Sequence, residues 1–455
     1  MTGIGKFTRS RWKNFNYIKK SFSNLNTNLF VALSFCLYCL IIYKINIIIS
    51  SIMLSLIIAV NFFNLKYWIK IAIVFPLIFL VHYLWYLDLF KINGKNICGK
   101  FEIKRFFNKS ILIKYQYYNV LVKNWSSWEF NNFYKYNIEL SGTLSIIKNQ
   151  NMFSLSNKID FELLNVRLVS KAYAYQEKIP ILQDYDYKTK KFLALVLFNI
   201  QQANDLFVDQ LKQLSVMHYF TISGFHFGII YLLISKILKW LNSKELIVDL
   251  ISILMLFFYL KLLNFSISAS RAFLFLILKI ASKNIFKGKF NNIDILSFAA
   301  LLLIFFDIRT MYSYSFILSF TITLIIFLIL DIKKIYKNNI FVNFLFIILP
   351  YISSISIVIS FNPKFNILGI FYQLFFLPIS IFNYVFCLFA FIVKPIIKMY
   401  VSIFEIVINT LSYGCLIIEV EKNSILGYSI NFYIISIYTY IKIKREYYLL
   451  TNHFK

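Results

Sequence analysis

Histidine, glycine, proline and acidic residues are all scarce in this chain: its 455 residues hold 4 His, 11 Gly, 6 Pro and 20 Asp+Glu. His82, His218, His226 and His453 cannot supply the clustered His-x-His-x-Asp-His pattern of a metal-dependent hydrolase, so no metal is expected. So few acids and histidines leave little to converge on a substrate, and neither a catalytic residue nor a cofactor is assigned. The cysteines, Cys36, Cys39, Cys98, Cys387 and Cys415, are scattered. Cys36 and Cys39 have CxxC spacing inside an apolar run but no second pair, which excludes a disulfide framework and argues against a redox pair. Gly94-Lys-Asn-Ile-Cys-Gly99-Lys100-Phe101 has the glycine–lysine spacing of a phosphate loop. Phe101 stands where a magnesium-binding Ser or Thr is required, however, and the residues that follow read as strands, so no nucleotide site is expected.

Apolar surface is what the chain has in abundance. It is 59% hydrophobic and 15% charged, with a mean hydropathy of +0.68, which is more than one globular core can hide. The fold expected is a polytopic α-helical membrane protein of about twelve transmembrane helices, with a small OB-like β-barrel domain outside the membrane. A basic tail (1–28) precedes three apolar stretches (29–90) without a small-residue cleavage site, so it reads as cytoplasmic and retained. From 91 to 190 the pattern turns to two-residue alternation. Ile111, Ile113, Tyr115 and Tyr117 oppose Leu112, Lys114 and Gln116; Tyr134, Tyr136, Ile138 and Leu140 oppose Lys135, Asn137, Glu139 and Ser141. Residues 191–217 read as an amphipathic helical segment at the membrane surface. Spans resume over 218–441 and a basic tail closes the chain at 442–455. Every inward turn carries lysine, as at Lys236/Lys239/Lys244 and Lys333/Lys334/Lys337, while outward turns include Asp307 and Glu419. That pattern puts both termini in the cytoplasm and the β domain outside a cytoplasmic membrane. Topology accounts for much of the +28 net charge, and an anionic partner, lipid head groups or nucleic acid, for the rest.

His218-Tyr-Phe-Thr-Ile-Ser223-Gly224-Phe-His226-Phe-Gly228 opens the first span after the β domain. Polar groups in hydrocarbon face a protein interior or a cavity, so this run is either a packing seam or the wall of a polar pathway. Ser266-Ile-Ser268-Ala269-Ser270-Arg271-Ala272 offers a second constellation. Arg271 near a span end either snorkels to the interface or meets a phosphate with help from Ser268.

These residues resemble the ComEC family of DNA-uptake channels. Ser223-Gly224-Phe225-His226 is similar to the family's Ser-Gly-Leu-His hallmark, and the small-residue cluster ending in Arg271-Ala272 to its Arg-Ala element. Asp307, with Ser315-Phe-Ile-Leu-Ser319-Phe320, resembles its Asp-Pro and Gly-Phe-Gln-Leu-Ser-Phe elements, although Ile308 replaces proline, Ser315 glycine and Ile317 glutamine. Tyr372-Gln-Leu-Phe-Phe-Leu-Pro378 loosely fits a later motif. The resemblance implies a channel for single-stranded DNA lined by His218, Ser223, Gly224, His226, Gly228, Ser268, Arg271, Asp307 and Ser319. The partners it implies are single-stranded DNA, the lipid bilayer, and separate DNA receptor, ATPase and nuclease proteins. The metallo-β-lactamase-like domain of many members is not expected here.

Between Lys91 and Lys190 roughly sixteen basic residues face about eight acidic ones; phosphate neutralisation with base stacking on aromatics suits that mixture. Lys114, Tyr115, Tyr117, Lys123, Trp125 and Trp128 are the candidate DNA-binding residues. The alternatives are a secondary transporter of a small or anionic solute, for which paired intramembrane carboxylates and an inverted repeat are missing, and a membrane-embedded enzyme.

Overall fold

The computed structural model describes residues 80, 83–107, 110–123, 134–147, 153–154, 157–177, 179–201, 205–288, 290–335, 340–359 and 364–420. The apolar stretches expected before residue 80 and the part of the 218–441 spans past residue 420, with Cys36, Cys39, His82, Trp125, Trp128 and His453, lie outside these residues.

Five strands, β1 (Asn96–Phe107), β2 (Ser110–Tyr115), β3 (Tyr118–Lys123), β4 (Tyr134–Ile146) and β5 (Phe161–Glu177), form a closed barrel in the order β1-β2-β3-β5-β4. Neighbours run antiparallel except β3 and β5, which pair in parallel at Val120–Phe161 and Leu121–Glu162. Period-two alternation fills the interior: Ile111, Ile113, Val120, Val122, Ile138, Leu140, Leu144 and Phe161 make one core. Leu112 is buried as well, against Leu121 and Ile159, so β2 is covered on both faces where alternation predicts one. The strand also stops short of Tyr117. Gln116 takes φ of 52° in a two-residue turn between the paired Tyr115 and Tyr118, because a tight hairpin needs left-handed backbone there.

Gly142 on β4 lies so close to β5 that a Cβ would stand 2.7 Å from the Leu164 carbonyl oxygen. Backbone cannot yield there, so Gly142→Ala is expected to destabilise the barrel by about 1–3 kcal/mol. Thermal melts of the full chain should register the loss as a lower first transition.

The helical part begins with α1 (Tyr187–Phe198) and α2 (Leu206–Gln213). Asp186 caps α1 by accepting from Thr189 N and Oγ1, and Asp205 caps α2 by accepting from Phe207 N. Residues Phe192 to Leu197 are all buried, packed with Phe220, Phe376, Tyr384 and Phe404. The first half of the segment expected at the membrane surface is therefore core, because its unbroken apolar run leaves no polar face. Only α2 is two-sided, burying Phe207, Val208 and Leu211 while Asp209 and Lys212 pair at the surface.

A short helix, α3 (Met217–Phe220), precedes α4 (Gly224–Trp240), α5 (Glu245–Leu262), α6 (Ile267–Asn284), α7 (Asn292–Phe306), α8 (Tyr314–Ile335) and α9 (Ile340–Ile359). Strand β6 (Lys364–Asn366), helices α10 (Gly369–Ala390) and α11 (Lys394–Ser412), and strand β7 (Ile417–Glu419) follow. Among the described residues three helical stretches are long and apolar enough to cross a membrane, Met217–Trp240, Gly369–Ala390 and Lys394–Ser412; Asn292–Phe306, Tyr314–Leu330 and Phe344–Ile359 are shorter apolar helices. Helix α10 runs unbroken with Pro378 inside it. Its entry is fixed by buried Asn366, whose Oδ1 accepts from Leu368 N and Leu416 N while Nδ2 donates to the Gln213 carbonyl.

Candidate functional site

Ser223 does not lie within a helix; it is the extended residue before α4, whose backbone breaks between α3 and α4. His226, in the first turn, folds back so that its Nδ1 accepts the Ser223 N–H at 3.0 Å, and Ser223 Oγ lies 3.2 Å from the same nitrogen. A capping box normally uses Glu or Gln at this third position; histidine does the same work here, and an accepting Nδ1 leaves the proton of the neutral ring on Nε2. His226 is 2% exposed, with Tyr384 edge-on at 4.3 Å. The Tyr384 hydroxyl is 3.1 Å from that of Tyr259, which donates to the Leu197 carbonyl at 2.9 Å. A ring contact followed by two hydrogen bonds thus joins α4, α10, α5 and the end of α1.

The second constellation lies across α4, α6 and α8. Arg271 is 7% exposed, so it is buried rather than snorkelling. Its Nη1 donates to the Ser319 carbonyl at 2.5 Å and to Thr323 Oγ1, and its guanidinium stacks 5.8 Å over Phe320. Ser268 Oγ is 3.3 Å from Ser319 Oγ. A Cβ on Gly224 would stand 2.7 Å from Arg271 Nη2, whereas nothing lies within 4 Å of one on Gly228. The two glycines are therefore not equivalent: Gly224 admits the guanidinium, and Gly228 faces open space. Among the described residues no carboxylate pairs with Arg271, so the helices hold a positive charge on neutral acceptors alone.

His218 and Asp307 stand apart from this cluster. His218, on α3, is exposed, with Tyr219 beside its ring. Asp307 belongs to a junction between the barrel and the helices. It caps the turn Ile308–Tyr312, pairs with Arg309 at 3.0 Å and takes Lys158 at 2.9 Å. Arg309 also bonds buried Asp160 and lies 4.4 Å over the Trp85 ring. Burial pushes the Asp307 carboxyl up, but Arg309 and Lys158 outweigh it and hold the group below its ordinary value. For Asp160 burial wins over Arg309, and the carboxyl is raised.

On the barrel, Lys114 is exposed and Tyr117, at the hairpin tip, is 95% exposed. Tyr115 packs against the barrel core with its ring 6.2 Å from Phe101, and Lys123 pairs with Glu162 at 2.7 Å. Burial, together with the Lys114 charge, lowers the pKa of Lys104 on the neighbouring strand. The sequence reading missed Thr323, Tyr259, Tyr384, Asp160 and Arg309. The last stands two residues from Asp307, a spacing that signals a local ion pair; the others come from remote segments and leave no local trace.

A protein-family model described as Competence protein matches residues 199–439. An uncharacterized protein of Mycoplasma genitalium is 29% identical over 229 residues, 49% of this chain and 58% of its own length. An uncharacterized homolog from Mycoplasma pneumoniae is 30% identical over 196 residues, 43% of this chain and 49% of its own length. The chain thus spans about half the length of the curated relatives it matches. No solved structure matches it.

Proposed function

Because the chain belongs to the competence protein family, we infer that it forms a channel passing single-stranded DNA across the cytoplasmic membrane during DNA uptake. The observation that carries this reading is Arg271: a buried guanidinium, without a carboxylate, among apolar helices, with neutral acceptors on one side and a glycine on the other. Such a charge suits the phosphates of a passing strand, and Ser268, Ser319 and Thr323 add hydroxyls that exchange hydrogen bonds with a polar cargo. His226 fixes the helix entry, with Tyr384 packed against its ring. The barrel is the external collector. Five strands closed through a parallel β3–β5 pair support an OB-like reading, and exposed Tyr117 with Lys114 provides a stacking ring beside a phosphate partner. Lipid surrounds the helices, and a receptor, an ATPase and a nuclease are separate partners.

Cells with and without the chain, given fluorescently labelled DNA, test this directly. Uptake should vanish on deletion, return with the wild-type copy, and stay low with Arg271→Ala inserted at normal abundance. Full uptake in the deletion strain would refute the channel. Tyr117→Ala in the full chain, held in nanodiscs, is expected to weaken oligonucleotide binding by about 1–3 kcal/mol while leaving the salt slope unchanged.

A further inference from the structure

A second buried polar cluster lies between α4, α5 and α6, away from Arg271. Asp249 on α5 is 5% exposed. Tyr231 Oη on α4 donates to its Oδ1 at 2.9 Å, and Asn284 Nδ2 on α6 donates to its Oδ2 at 3.2 Å. Both donors are neutral. Two lysines are near: Lys283 bonds Glu245 at the exposed rim, and its charge acts on Asp249 and Tyr231 from there without an ion pair to Asp249, while the charge of Lys239 acts on Glu245. Among the described residues no cation forms an ion pair with Asp249. One turn further along α5, Ser252 is wholly buried, and its Oγ has no hydrogen-bond partner among the described residues. Ser252 lies on the buried stripe Val248, Ser252, Leu256 and Leu260 that packs towards α4 and α6, so it faces the same interior as Asp249. Ser235 on α4, one turn from Tyr231 and acting on its hydroxyl, is buried as well.

A buried carboxylate bonded by neutral donors, one helical turn from an unsatisfied hydroxyl oxygen, has no cation in contact with it among the described residues and has oxygen ligands to offer. A hard monovalent cation supplies both needs, whereas a divalent ion would want more carboxylates than one. We propose that Asp249 and Ser252, with the hydroxyls of Ser235 and Tyr231, form a binding site for an alkali cation within the helix bundle. The site is independent of the DNA path, since it shares no residue with the Arg271 cluster.

The test uses the full chain in nanodiscs, titrated with NaCl or KCl, choline chloride holding ionic strength constant, and read by thermal unfolding and by binding of radioactive sodium. A saturable rise in melting temperature with sodium or potassium, absent in choline, is expected. Asp249→Asn keeps the shape and should abolish the rise. Ser252→Ala should weaken half-saturation about tenfold, the loss of one ligand. An equal response in choline, or an undiminished one in Asp249→Asn, overturns the site. So does a shift reproduced in choline by lowering pH alone, which would make the missing charge a proton. DNA uptake does not enter this readout, so failure here leaves the channel reading intact, and the reverse holds too.

Discussion

Arg309→Ala should open the junction between barrel and helices, at a cost of about 3–5 kcal/mol. Without the guanidinium, Asp160 is left as a buried carboxylate facing Asp307, and the Trp85 ring loses its cation. The measurement is amide hydrogen exchange at Asn119, whose N–H donates to Asp160 Oδ2 at 2.7 Å and lies far from any membrane helix in the sequence. Protection there should fall by several orders of magnitude, while amides inside α10 keep theirs. Arg309→Lys, which retains charge but not the fork that spans two carboxylates, should fall between. The pH dependence has two opposing parts. The depressed Asp307 carboxyl contributes stability that is complete above the ordinary carboxylate range and is lost as pH falls through its lower folded value. The raised Asp160 carboxyl works the other way, its penalty growing as pH rises from the unfolded to the folded value. On acidification Asp160 therefore lets go of its charge first, and Asp307 holds Arg309 alone. Unchanged protection in Arg309→Ala would mean that the junction is held by other contacts.

Gly224→Ala is the second large effect. The added methyl would stand 2.7 Å from Arg271 Nη2 and must push the guanidinium off the Ser319 carbonyl and Thr323. The loss of these charge-assisted bonds costs about 1.5–3 kcal/mol, and DNA uptake should fall at least about tenfold. A double-mutant cycle identifies the cause: if the glycine exists to admit Arg271, then Gly224→Ala in an Arg271→Ala background should add almost nothing. Additive losses would instead assign Gly224 to contact with Ala272 on α6, which lies 3.6 Å from the same position. Gly228→Ala meets open space and serves as the control, with uptake near wild type.

The motif that carries the family resemblance was visible as a string, yet its geometry was not. Ser223 and His226 read as part of one span; their hydrogen bond instead closes the helix's first turn, a choice that depends on the chain breaking before Gly224. Arg271 was equally compatible with snorkelling and burial, and only the approach of α8 decided for burial. In the β domain, alternation found the core-facing residues Ile111, Ile113, Ile138 and Leu140, while it ran β2 two residues too far, into a turn that needs left-handed backbone.

The sequence alone determined that the chain must use lipid as solvent, because its apolar surface exceeds any soluble core, and that a β domain interrupts the helices, because periodicity is a local property of the chain. Tertiary structure decided which polar groups meet. Arg271 with Ser319, Asp160 with Arg309, and Asp249 with Tyr231 and Asn284 are joined across segments that no local pattern links. Desolvation, which makes those contacts necessary, exists only once the helices have packed.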